Sequence, residues 1–171
     1  VATWRAFTDE APELAEVAAR LWPGITALHR DGVAPPGQAC FAVSYLASVR
    51  RDGAPRLHPF CPILAGDGLF TAIPRRSPKG WDLRRDPRCV IHALPGPNDD
   101  ELCIRANAHE VIDAASRSAV LDVVSLSGVG GMVESVSSDP IFEFDLEQVD
   151  VAWWLDIGQP GTHAVRRRWP A

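Results

Sequence analysis

Arg51-Asp52-Gly53 and Ala65-Gly66-Asp67-Gly68 are tight-turn sequences, and they divide the middle of this chain into three short apolar segments, Ala39 to Arg50, Ala54 to Leu64 and Leu69 to Ile73. Asp-Gly readily supplies the positive φ of a short hairpin loop, so successive segments fold back as antiparallel neighbours. The pattern predicts a three-stranded meander in which the end of the third strand, at Ile73, lies close to the start of the second, at Ala54. Further strand-like segments follow at Arg88 to Leu94, Glu101 to Ile112, Ile141 to Asp145, Val149 to Leu155 and Arg166 to Trp169. So many antiparallel strands with few helices favour a small barrel, because closure removes exposed edges. Pro59 and Pro62 cannot donate ladder hydrogen bonds, which places the Phe60 end of the second segment at an edge, a bulge or the barrel mouth, where a ligand can approach.

Helices are peripheral in this reading. Asp9 caps a helix that starts near Pro12 and carries Leu14, Val17, Ala18 and Leu21 on one face; a shorter helical segment with Ile25 and Leu28 follows. Arg30 to Gln38 is a connecting loop. A helical turn spans Trp81 to Arg85, and Asp113 or Ser116 caps a helix over Ala115 to Leu126 that Gly128-Val129-Gly130-Gly131 terminates. That glycine cluster lacks the strand-before, helix-after setting of a dinucleotide fingerprint. At 171 residues with 46% hydrophobic content, the chain suits a single domain over 1–171 with an N-terminal helical segment at about 9–30.

The chain has sixteen arginines and one lysine, Lys79, which sits in the run Ile73-Pro74-Arg75-Arg76-Ser77-Pro78-Lys79-Gly80. Guanidinium forks, a hydroxyl, an ammonium and free backbone N–H groups in a tight turn are what a phosphate requires. The competing reading is a solvated basic loop. Between Arg75 and Arg88 cations exceed anions, yet the whole chain carries a formal charge of −5, so a small anion is favoured over nucleic acid. Strand alternation puts Arg56, His58, Phe60 and Pro62 on one face, and the meander brings Arg56 towards Arg75, Ser77 and Lys79. Surface pairing of Arg56 with Asp52 or Glu101, and a core role for His58, are the structural alternatives.

Other chemistries lack a pattern. Cys40, Cys61, Cys89 and Cys103 have no close spacing of the zinc or redox type, so reduced thiols are expected. His29, His92, His109 and His163 form no pair at metal-ligand spacing, and no serine has the context of a nucleophile elbow. No apolar run is long enough to span a membrane and no leader is evident, so the expected location is cytoplasmic.

The order of these features, from the Arg51-Asp52-Gly53 turn through Ala54-Pro55-Arg56-Leu57-His58-Pro59, the Gly66-Asp67-Gly68 turn, Ser77-Pro78-Lys79 and Asp82-Leu83-Arg84-Arg85-Asp86-Pro87-Arg88, resembles the pyridoxamine 5′-phosphate oxidase-like split-barrel proteins. The resemblance is specific from about Phe41 to Leu94. It implies a mainly β fold with peripheral helices, an antiparallel split β-barrel of the FMN-binding type, and a homodimer with FMN, or the deazaflavin F420, between protomers. It also implies that Arg56, Ser77 and Lys79 hold the cofactor phosphate; strand alternation and the meander, not the resemblance, add His58 and Arg75 to that pocket. Pro62, Ile63 and Ile73 would border the ring, and Trp153 and Trp154 would reach it across the dimer, although core or interface packing serves those tryptophans equally. The expected activity is hydride or electron transfer with a small organic substrate; a non-catalytic flavin- or haem-binding module is the alternative. The ending Gly161 to Trp169 differs from the substrate-gripping terminus of the namesake oxidase.

Overall fold

The computed structural model describes residues 2–33, 40–96, 98–128 and 133–170. Three helices come first, α1 (Trp4–Glu10), α2 (Pro12–Leu21) and α3 (Pro23–Asp31). Thr3 caps α1 by accepting from the Ala6 N–H at 3.2 Å, and Pro12 and Pro23 open α2 and α3, where a missing N–H leaves no helical bond unmade. Asp9 therefore lies inside α1 rather than capping α2, whose cap residue is Ala11. The expected loop at Arg30 to Gln38 falls largely outside the described residues.

The strands are β1 (Ser44–Val49), β2 (Pro55–Phe60), β3 (Ile63–Ala65), β4 (Gly68–Ala72), β5 (Arg88–Ala93), β6 (Glu101–Glu110), β7 (Ile141–Leu155) and β8 (His163–Trp169). Helix α4 (Pro78–Arg85) separates β4 from β5, and α5 (Ala114–Leu126) and α6 (Val133–Ser138) separate β6 from β7. Asp113 caps α5, accepting from the Ser116 N–H at 2.7 Å. Gly128 follows that helix at φ +76°, a left-handed conformation that suits glycine, whereas Val129 to Gly131 lie outside the described residues.

All eight strands form one antiparallel sheet in the order β2-β1-β5-β6-β7-β4-β3, with β8 also on β7. Its two ends, β2 and β3, are consecutive in the chain and joined only by Cys61 and Pro62, so the sheet must curl until those ends meet. This is a split barrel with peripheral helices, as expected. The meander is not what forms. The segment 54–64 breaks at its prolines into two strands, and β4 pairs with β3 and β7 rather than with β2. The two late segments expected at 141–145 and 149–155 are one fifteen-residue strand, β7, which bends at a bulge: Arg105 faces Gln148, but Ala106 faces Leu146.

The inner face of the sheet and α1–α3 enclose the main core, with Phe7, Trp22, Leu46, Ile91, Leu102, Ile104 and Phe144 almost wholly buried. Trp22 closes the junction of α2 and α3 and donates from its indole N–H to Ser44 Oγ at 3.0 Å. A second cluster forms where α5 and α6 cover β3 and β4, through Val120, Val124, Val136, Phe70 and Ile141.

Candidate functional site

Helix α4 brings the basic segment to the barrel. Ser77 is its cap residue, in extended conformation at φ −73° and ψ 128°, but its hydroxyl makes no capping bond. Pro78 opens the helix and Lys79 follows, reaching back so that Nζ donates to the Pro59 carbonyl of β2 at 3.0 Å. The ammonium is half-buried, and loss of water lowers its pKa from the ordinary lysine value. The Cys61 thiol lies beside it; burial raises that thiol's pKa while the ammonium partly opposes the shift.

Arg56 stands on the same edge strand. Strand β2 alternates as expected, with Arg56, His58 and Phe60 turned inward and Pro55, Leu57 and Pro59 exposed. Neither sequence-based partner of Arg56 is used. Its Nε donates to Asp82 Oδ2 at 2.6 Å, and Arg85 donates to Asp82 Oδ1 at 3.1 Å, so a carboxylate only 6% exposed holds two guanidiniums. Burial pushes the Asp82 carboxyl up, and the hydrogen bonds from Arg56 and Arg85 overcome this to hold it below its usual value. A lowered folded-state pKa contributes stability above the ordinary carboxylate pKa that is lost as pH falls through the lowered value. Asp82→Asn should therefore cost about 2 kcal/mol near neutral pH, less than a fully buried pair because both guanidiniums keep contact with water. Urea denaturation against pH should show the difference between wild type and variant shrinking on acidification.

Arg56 and Lys79 each link β2 to α4, through Asp82 and the Pro59 carbonyl, and Ser77 is the cap residue of that helix; they come together because α4 packs on the β1–β2 edge and not through a meander, while His58 shares only the inward face of β2. Arg75 turns away: its backbone N–H bonds Asp139 and its Nε donates to the Ser138 carbonyl at 2.8 Å, beside α6. Ile73 is 1% exposed in the main core, beneath Gly80. Pro62 and Ile63 line a crevice with Ile25, Val123 and Val124, between α3 and α5. Trp153 packs against the main core, while Trp154 is exposed and lines a shallow hollow with Asn98, Asp99, Ile157 and Thr162 that contains none of the phosphate candidates. Asp82 and Arg85 were missed as site residues; their i, i+3 spacing within a helix was the available signal.

Cys61, Cys89 and Cys103 are free thiols. Burial pushes the Cys89 thiol up to about 12, which marks it as an inert core residue. No cluster of metal-ligating side chains occurs among the described residues. No helix among them is long and apolar enough to cross a membrane.

No protein-family model and no curated protein sequence matches the chain. Solved structures do match. A candidate pyridoxamine 5′-phosphate oxidase from Listeria innocua aligns with TM-score 0.54 at 21% identity, over 77% of this chain and 97% of its own. The haem storage protein HutZ from Vibrio cholerae aligns with TM-score 0.57 at 18% identity, over 75% of this chain and 91% of its own. A haem-binding protein from Mycobacterium smegmatis aligns with TM-score 0.56 at 19% identity, over 86% of this chain and 57% of its own. The fold is therefore the split barrel of pyridoxamine 5′-phosphate oxidase-like proteins, a barrel shared with haem-binding proteins.

Proposed function

We propose that the chain binds a phosphate-bearing flavin, FMN or its deazaflavin counterpart F420, at the β2–α4 corner, and passes hydride or electrons between it and a small organic substrate. The observation that carries this reading is Lys79: a half-buried ammonium whose bond goes to a backbone carbonyl rather than to a carboxylate, next to the uncommitted Ser77 hydroxyl. An ammonium in that position can exchange one neutral acceptor for an anionic oxygen, and charge-assisted bonds are the stronger kind. The ring of such a coenzyme supplies the redox chemistry. This chain would hold the phosphate through Lys79, Ser77 and Arg56, with Asp82 keeping the Arg56 fork in place. His58 would lie on the same inward face.

Titration of FMN by fluorescence tests the reading. Affinity should fall as pH rises, and the fall should begin below the ~10.4 of an ordinary lysine, because burial already favours the neutral amine. Lys79→Ala should bind weakly and lose that pH dependence; pH-independent binding in wild type would count against an ammonium at the phosphate.

In the same reading the protein is a homodimer, and the partner completes the ring site with its Trp153 and Trp154. The outer face of β1 and β2 supports this: Leu57 is 62% exposed and Tyr45 40%, and their neighbours across the ladder are Ala47 and Pro59. A contiguous apolar strip of that kind is costly in water. Leu57→Asp should convert a dimer to a monomer in sedimentation, with circular dichroism unchanged. A cytoplasmic location suits the free thiols of Cys61, Cys89 and Cys103.

Haem is the second reading, favoured by the likeness to the Vibrio and Mycobacterium proteins. The protein would then be a carrier, with no turnover. Absorbance of the loaded protein separates the two, a sharp Soret band indicating haem and a broad band near ~450 nm indicating flavin.

A further inference from the structure

Beside the Lys79 corner, an open cleft of 660 Å³ runs between the β1–β2 turn and the outer side of α4. Four guanidiniums, Arg50, Arg51, Arg56 and Arg85, line it together with Trp81 and Asp82. Only two carboxylates face them. Asp82 holds Arg56 and Arg85, and Asp52 stands 3.7 Å from Arg50, so the cations outnumber the anions by two. Arg85 is fixed further by donating to the Val49 carbonyl. Two of the forks are thus held in place before any ligand arrives, which reduces the ordering cost of binding. Trp81 is 56% exposed on the same wall, an unusual position for an indole that contacts no other ring among the described residues.

We propose that this cleft is a binding site, additional to the coenzyme corner, for a small anion of the nucleoside phosphate class, whose base is flat. Even with Arg56 engaged at the coenzyme corner, Arg50, Arg51 and Arg85 outnumber Asp52 and Asp82, so the cleft stays positive and favours a phosphate, and the exposed indole offers a flat face on which a base can stack. The volume falls within the ~300–1,000 Å³ typical of small-molecule sites. A long polyanion is disfavoured by the formal charge of −5 on the whole chain. The site does not depend on a flavin being the coenzyme; Arg56 and the Asp82 carboxylate that holds it lie on the boundary between the two places.

Calorimetric titration with AMP, adenosine and inorganic phosphate tests it, each with and without saturating FMN. AMP should bind at least roughly tenfold more tightly than either fragment, since charge and stacking act together. Trp81→Ala should reduce AMP affinity roughly tenfold and leave inorganic phosphate unchanged, and Arg51→Glu should weaken both. Trp81 and Arg51 are exposed, so both variants should keep the wild-type melting temperature. The proposal is overturned if AMP binds no better than phosphate, if Trp81→Ala leaves AMP affinity intact, or if FMN displaces AMP competitively, which would make the cleft part of the coenzyme corner. Failure of FMN to bind at all, with AMP behaving as expected, would remove the flavin reading and keep this one.

Discussion

The double variant Lys79→Ala, Arg56→Ala should weaken FMN binding by about 3–6 kcal/mol, because charge-assisted hydrogen bonds contribute roughly 1.5–3 kcal/mol each. The two residues reach the β2–α4 corner by different routes, Lys79 from the start of α4 and Arg56 from an inward position on the edge strand. Their effects should separate. Lys79→Ala removes a half-buried cation that holds only the Pro59 carbonyl, so its cost should fall on affinity and hardly on stability. Arg56→Ala also strips one partner from buried Asp82, leaving Arg85 as that carboxylate's remaining cation, and so should lower stability as well. Fluorescence titration of both single variants, with urea denaturation as a control, distinguishes a lost contact from a loosened helix. Unchanged affinity in the double variant would remove both residues from the phosphate site.

Trp22→Ala should cost about 3–5 kcal/mol of stability, the range for deleting a buried tryptophan or phenylalanine side chain. Trp22 has no exposed surface, packs 5.5 Å from Trp4 between ring centroids and bonds Ser44 Oγ, itself fully buried. Its removal leaves a cavity and an orphaned hydroxyl where α2 and α3 close one side of the barrel. A loss of roughly 10 °C in melting temperature should follow for a chain of this length. Trp22→Phe, which retains much of the volume but not the N–H, should recover more than half of it, and calorimetry of the two variants measures the division. An alanine variant that melts like wild type would mean that the helices contribute little to the core.

The fold was legible wherever the determining signal is local. The turns at Asp52-Gly53 and Gly66-Asp67 mark real hairpin loops, Asp113 caps the helix it was expected to cap, and Pro59 and Pro62 marked the break that ends β2. The pairing of β4 with β7 was not legible, because nothing near Leu69 to Ile73 specifies a partner seventy residues away. Helix α1 has a weaker sequence signal: Thr3 caps it, whereas the more conspicuous Asp9 lies within it and points to a start near Pro12. For the site, the strand period placed Arg56 and His58 correctly on the inward face, but no periodicity reveals that α4 would carry Asp82 to Arg56. Arg75 illustrates the limit of a charge run. Although four residues from Lys79 in sequence, it is held by Asp139 and the Ser138 carbonyl, on the far side of the loop from the ammonium.

The most direct test is a crystal structure of the protein with bound FMN. The phosphate should sit within hydrogen-bond distance of Lys79 Nζ and Ser77 Oγ, with the Lys79 bond to the Pro59 carbonyl lengthened or broken. Density for the phosphate elsewhere, with that bond intact and solvent alone at the start of α4, would contradict the assignment.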